Sequence, residues 1–204
     1  MKNDRLKIAI QRKGRLSEAS LAFLNSLGLM FKPNGHSLIQ KCEDRNIDLI
    51  LLRDDDIPEY VSRGVADFAI IGQNVLLEKR MQAEIIRELD FAKCRLDIAV
   101  PEDSPIKVLK DLEGERIATT YPELLKEYLA KNNINSAIIP IQGSVEITPE
   151  LNLADAICDV VQTGNTLKAH NLKPLVTILE SKALLITNDV GKKGKQQLKE
   201  LLLR

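Results

Sequence analysis

The chain has no tryptophan, and only its four phenylalanines and three tyrosines are aromatic among 204 residues. That is too few rings for a platform on which single-stranded nucleic acid could stack. Excess positive charge is missing as well. Twenty-nine Lys and Arg balance 29 Asp and Glu, for a formal net charge of zero, so nothing in the electrostatics draws a nucleic acid. No apolar run is long enough to span a membrane, and the opening "MKNDRLKIAIQRKG" holds no signal-peptide core. The three cysteines, Cys42, Cys94 and Cys158, are odd in number and show no CxxC spacing. They speak against a disulfide framework and read as free thiols in a reducing compartment, so the expected setting is the cytoplasm. Only two histidines are present, His36 in a turn-like "PNGHS" and His170 in "KAHNL". Both read as solvated or structural, and no Ser-His-Asp or Cys-His arrangement can be built.

What is present is a regular alternation. "KIAIQ", "IDLILLR", "ADFAIIG", "CRLDIAVP", "ERIATT" and "SAIIPI" read as strands. Helical patterns separate them: a stripe of Leu16, Ala19, Phe23 and Leu27 ending at Gly28, a short "IPEYVSR", and a helix opening at Pro122. Nearly continuous apolar strands alternating with helices indicate α/β architecture with mainly parallel sheets. "GVADFAIIGQNVL" and "LADAICDVVQTGNTL" echo each other in an Ala-Asp, an apolar strand, a glycine turn and a helix start. Such an echo reflects either two similar lobes or the economy of βα units. The tail "GKKGKQQLKELLLR" reads as an amphipathic surface helix with a basic face.

The loop Thr163-Gly164-Asn165-Thr166-Leu167 lies between a strand and a helix. Glycine permits close backbone approach, hydroxyl and amide groups donate without bulk, and a helix start offers free N–H groups. These features suit phosphate; they also suit an ordinary turn in which Thr163 or Asn165 caps the helix. Asp159, four residues earlier, would repel phosphate and so needs another task, either bonding the vicinal hydroxyls of a ribose or recruiting Mg²⁺ to a diphosphate. Glu146 in "GSVEITP" supplies a second carboxylate, unless it is only a first-turn helix charge. Lys13 and Arg15 in "QRKGRL", Arg53 after "IDLILL" and Arg95 in "KCRL" are cations near strand ends; each by itself reads as a surface charge, yet two lie at carboxyl ends, where open α/β sheets bind ligands.

Taken together, "KGRL", "ADFAIIGQNVL", "KCRLDIAVP", "RIATTYP" and "GSVEITPELNLADAICDVVQTGNTLKAHNL" resemble, in order, the motifs of the ATP phosphoribosyltransferase family, in its short form. The resemblance implies two α/β lobes of the periplasmic-binding-protein type II kind. The second lobe is inserted in the first, with the active site in the cleft. Lobe I would hold residues 1–94 and 175–204, and lobe II, with the phosphoribosyl diphosphate site, residues 95–174. By the same resemblance, Glu146 and Asp159 match the acidic residues that hold phosphoribosyl diphosphate, and Thr163, Gly164, Asn165, Thr166 and Leu167 match its 5-phosphate loop. Lys13, Arg15, Arg53, Asp67 and Arg95 match positions on the ATP and diphosphate side. The chain departs from the family pattern at Arg12, Asn165 and His170.

The implied reaction is a glycosyl transfer joining adenine N1 of ATP to C1 of the phosphoribosyl group, the first step of histidine biosynthesis. Adenine N1 carries a free lone pair, so no general base is required, which fits a sequence poor in His and Cys. Mg²⁺ is expected to arrive with the diphosphate rather than in a protein cage. The resemblance also implies a separate regulatory subunit related to histidyl-tRNA synthetase, since no residues after "LLITNDVGKKGKQQLKELLLR" are left for an effector domain. The chain alone would be a dimer, and a hetero-oligomer with that partner. Two rivals stand beside this reading: a non-catalytic small-molecule binding module, and a phosphoribosyltransferase acting on another base.

Overall fold

The structure is a computed structural model and describes residues 5–32 and 37–204. His36 lies outside the described residues. The chain forms two compact units: Met1–Ala92 with Lys182–Arg204, and Lys93–Ser181.

In the first unit, β1 (Leu6–Gln11), β3 (Ile47–Leu52) and β4 (Phe68–Gly72) run parallel in the order β3-β1-β4. The short β2 (Ile39–Lys41) pairs antiparallel with β3, and β9 (Leu172–Thr187) pairs antiparallel with β4 through Ala183–Thr187. Strand residues alternate between two cores, as the pleat requires. Ile8, Ile10, Leu49, Phe68 and Ile70 enter one; Ala9, Ile50, Ala69 and Ile71 enter the other. Burial on both faces explains why β3 is nearly continuous in apolar residues.

The helix α1 (Arg15–Ser26) lies where the sequence puts it, but its fully buried line is Ser17, Ser20 and Leu24. Leu16, Phe23 and Leu27 pack at the margins of that core. Serine can lead because it is small and Ser20 satisfies its hydroxyl on the Leu16 carbonyl at 2.6 Å. The other helices of this unit are α2 (Ile57–Ser62), α3 (Gln73–Glu78) and, at the tail, α6 (Lys195–Leu202). Leu198 and Leu202 of α6 are buried in the same core as Ile8 and Leu24, while Leu203 stays exposed. The basic tail is thus docked on its own unit.

The second unit repeats the plan. β6 (Arg116–Thr119), β7 (Ala137–Pro140) and β8 (Ala156–Val161) are parallel in the order β7-β6-β8, and the end of β5 (Glu84–Pro101) pairs antiparallel with β8. Here too the first parallel strand is central, flanked by the second and third, with an antiparallel strand beside the third. α4 (Pro122–Lys131) follows β6 and α5 (Asn165–Ala169) follows β8. The unit boundaries fall inside β5 and β9. β9 leaves the second unit after Ser181 because Leu175, Val176, Ile178 and Leu179 still pack on that unit's core.

The Ala-Asp echo has a definite structural meaning. Asp67 precedes β4; its N–H donates to the Lys7 carbonyl at 2.9 Å and its Oδ2 accepts from the Lys7 N–H at 2.9 Å. Asp155 precedes β8; its N–H donates to the Arg116 carbonyl at 2.8 Å and its Oδ2 accepts from the Arg116 N–H at 2.9 Å. Each aspartate clips the start of the third parallel strand to the start of the first. Asp67 also meets Lys192, with Nζ 2.9 Å from Oδ1, and is fully buried. It sits at the amino ends of the strands, whereas Lys13, Arg15 and Arg53 follow the carboxyl ends of β1 and β3. Asp67 therefore joins the starts of β1 and β4.

Two results are expected from these clips. Lys192→Met leaves a buried carboxylate short of its counter-ion and should cost roughly 3 kcal/mol in a denaturant titration, with KM for every substrate unchanged. Asp155 is held down to about 2, first by the Arg116 guanidinium and then by the Arg116 N–H. A depressed folded value stabilises above the ordinary 3.8 and is lost as pH falls toward about 2. Asp155→Asn should therefore melt lower than the parent at neutral pH, and the gap should close on acidification. Because the Arg116 side chain is 44% exposed, the gap should be small.

Candidate active site

The carboxyl end of the first unit's sheet carries cations. Arg12 N–H donates to the Leu52 carbonyl at 2.7 Å, tying the residue before Lys13 to the residue before Arg53. Gly14 turns with φ 91° and serves as the N-cap of α1, so Lys13 and Arg15 flank that turn. A Cβ at Gly14 would meet nothing within 4 Å, so its glycine answers to the backbone angle and not to packing. Lys13, Arg15 and Arg53 are all exposed. Acidic residues follow at once: Asp54–Asp56 form a 3-10 turn, and Asp54 has its carboxyl pushed up by burial first and by the Asp55 charge second.

The carboxyl end of the second unit's sheet gathers the remaining candidates. Thr119 at the end of β6 donates its hydroxyl to the Cys158 carbonyl at 2.7 Å and accepts the Tyr121 N–H at 2.9 Å. That lock leaves Thr120 Oγ1 3.5 Å from Asp159 Oδ1. Asp159 Oδ1 also accepts the Val160 N–H at 2.8 Å. Glu146 stands on the 3-10 turn Val145–Ile147, entered through Gly143 (φ 92°) and a left-handed Ser144 (φ 48°). Val145, 1% exposed, anchors that turn in the core.

Glu146 and Asp159 feel each other. The Asp159 carboxyl is pushed above the ordinary range by burial first, with the Glu146 charge adding to it. The Val160 N–H and the Thr120 hydroxyl work the other way. A carboxylate held half-buried beside another carboxylate is unfavourable for the fold alone and suits a site that waits for hydrogen-bond donors such as ribose hydroxyls.

The loop 163–167 follows β8 after Gln162. Its N-cap is Gly164 at φ 76°, with no side-chain capping hydrogen bond, and the helix it opens has five residues. Gly164 holds the N-cap position, so neither Thr163 nor Asn165 occupies it. A Cβ at Gly164 would meet nothing within 4 Å. Arg95 lies level with Val161 in the β5–β8 pairing, immediately ahead of this loop. Thr120 and Asp97, which lies in register with Asp159, are not among the candidates that the sequence singles out. The second threonine of "RIATT", at a strand's carboxyl end, was a signal for the first; a lone acid inside the apolar "RLDIAV" was one for the other.

A family model described as HisG, ATP phosphoribosyltransferase, matches residues 53–204. The chain belongs to the ATP phosphoribosyltransferase family. It is 43% identical to an ATP phosphoribosyltransferase of Maricaulis maris across 92% of this chain, and spans 66% of that relative's length. It also superposes on the chain solved in the ATP phosphoribosyl transferase (HisG:HisZ) complex from Thermotoga maritima, with a TM-score of 0.81 and 32% identity, covering 97% of this chain and 96% of that one. The substrate-binding protein of an amino acid ABC transporter shares the fold at a TM-score of 0.60 and 16% identity, covering 97% of this chain and 89% of that one. The periplasmic-binding-protein type II architecture expected from the sequence is thereby found.

ATP phosphoribosyltransferases generally use a divalent metal. Among the described residues no group of three or more His, Cys, Asp or Glu could hold one. Among them, too, no helix is long and apolar enough to cross a membrane.

Proposed function

We propose that this chain joins ATP and phosphoribosyl diphosphate to give N1-(5-phosphoribosyl)-ATP and diphosphate, the first step of histidine biosynthesis, in the cytoplasm. The observation that carries the reading is the coexistence, at the carboxyl end of the second unit's parallel strands, of the Glu146–Asp159 pair and the open glycine turn at Gly164. Asp159 and Glu146 accept hydrogen bonds from the ribose hydroxyls, with Thr120 keeping Asp159 in place. The N–H groups and hydroxyls of Thr163, Gly164, Asn165, Thr166 and Leu167 take the 5-phosphate, and Arg95 adds a cation. On the first unit, Lys13, Arg15 and Arg53 bind the polyphosphate groups and stabilise charge that grows on the departing diphosphate. Mg²⁺ enters as part of the phosphoribosyl diphosphate complex and keeps most of its waters.

The transfer needs positioning and fixed positive charge more than acid–base chemistry. Adenine N1 attacks C1 with its own lone pair, the C1–O bond to diphosphate breaks, and the electron pair leaves with the diphosphate. Holding ribose and adenine in line supplies much of the rate. The Thermotoga maritima relative is a two-protein complex. By analogy this chain, a dimer alone, forms a hetero-oligomer with a separate regulatory subunit resembling histidyl-tRNA synthetase, which confers histidine inhibition.

The test is to incubate the purified chain with ATP, phosphoribosyl diphosphate and Mg²⁺. The ultraviolet change of an N1-substituted adenine, matched by diphosphate release, is expected. Diphosphate release with another base and none with ATP would overturn the choice of nucleophile. Binding without any turnover, with the regulatory subunit present, would favour a binding module.

A further inference from the structure

Asp97 is the most deeply buried acid of the second unit, at 1% exposure, on a strand whose neighbours Leu96, Ile98 and Ala99 are apolar. A buried carboxylate is costly unless paired, and an apolar residue of similar size usually serves stability better. Its two oxygens are treated differently. Oδ1 accepts the Thr177 hydroxyl at 2.7 Å. Oδ2 receives no hydrogen bond of good geometry, yet Arg95 Nη2 stands 3.2 Å from it as an ion pair. The Arg95 side chain is 50% exposed. A half-exposed cation is thus tethered through one guanidinium nitrogen to a buried anion.

The tether has a direction. In the antiparallel pairing Arg95 is level with Val161 and Asp97 with Asp159. Residues two apart on a strand share a face, so Arg95 and Asp97 lie on the face that carries Asp159. Arg95 is therefore beside the last residue of β8, where the loop 163–167 begins.

We infer that Asp97 is a positioning residue for phosphoribosyl diphosphate: oriented by Thr177, it fixes the Arg95 guanidinium so that its free N–H groups meet a phosphate of that substrate, while Asp97 itself touches no substrate. The inference rests on the phosphoribosyl diphosphate reading of the second unit. An unfixed arginine must be ordered on binding, and that loss is removed when a buried partner orders it beforehand.

The experiment is calorimetric titration of the full-length chain with Mg²⁺ and phosphoribosyl diphosphate, and separately with ATP. Asp97→Asn keeps the size and the Thr177 contact but loses the charge. It should weaken phosphoribosyl diphosphate about tenfold and leave ATP unchanged. Thr177→Val should act in the same direction, more weakly. Arg95→Ala should weaken binding at least as much as Asp97→Asn, and the double variant should match Arg95→Ala alone, since Asp97 acts through Arg95. Unchanged affinity in Asp97→Asn, an equal loss of ATP binding, or the same loss repeated in the Arg95→Ala background would each overturn the proposal. If Asp97→Asn does not fold, Thr177→Val with Arg95→Ala completes the same cycle. A parent chain that binds phosphoribosyl diphosphate yet never transfers it to ATP defeats the transferase reading and leaves this coupling measurable.

Discussion

Asp159→Ala and Glu146→Ala should each lower kcat/KM for phosphoribosyl diphosphate by about 10²–10³-fold, since a ribose clamp acts on alignment and small misplacements are costly. The sign of the stability change sets this apart from damage to the fold. The Asp159 carboxyl is raised by burial and by Glu146. A raised folded value means that the native state holds its proton longer than the unfolded chain, so stability falls as pH rises from the ordinary 3.8 toward the folded value. Above that window the native state carries an unfavourable charge. Asp159→Asn should therefore melt higher than the parent at neutral pH, and its advantage should vanish below 3.8. Glu146→Gln should also raise the melting temperature, because it removes the repulsion felt by Asp159. An inactive variant that is more stable marks a site residue; near-normal kcat/KM in both variants would remove the pair from the clamp.

The second large effect is expected at Gly164. Its φ of 76° is left-handed, and a β-branched residue there is strained. No packing atom lies within 4 Å of the position a Cβ would take. Space is therefore free in the protein alone, and bulk added there competes with whatever approaches the loop. Gly164→Val should weaken phosphoribosyl diphosphate at least about 10²-fold while ATP affinity stays within about twofold. Gly164→Ala should fall between, since it adds the smallest side chain in the same strained conformation. Equal affinities for phosphoribosyl diphosphate in all three proteins would reduce the loop to a turn.

Much of this is legible in the sequence. Periodicity placed β1, β3, β4, β6 and β7, because an apolar run bounded by glycine or charge is written locally. The acids and the hydroxyl–glycine loop were visible for the same reason, being unusual residue types at fixed short spacing. The echo around Ala66-Asp67 and Ala154-Asp155 was visible too, yet its meaning was not. Only backbone contacts to Lys7 and Arg116, 60 and 39 residues away, turn those aspartates into strand clips.

Tertiary structure decided what depends on distant partners. The sequence stripe of α1 named Leu16, Ala19, Phe23 and Leu27, whereas the helix buries Ser17, Ser20 and Leu24. Several rotations of a short amphipathic helix expose similar apolar area, and the choice falls to the sheet it lies on. The tail reads as an amphipathic surface helix from its sequence, and the core that receives Leu198 and Leu202 exists only once β1 and α1 are assembled. The resemblance matches Asp67 to a ligand position, while its clip to Lys7 is visible only in the folded sheet. Asp97 looked like nothing, until strand pairing set it opposite Asp159 and within reach of Arg95 and Thr177. Local patterning fixes element types through short-range sterics and hydration. The partner of a buried charge is set by strand register, which is a property of the whole sheet.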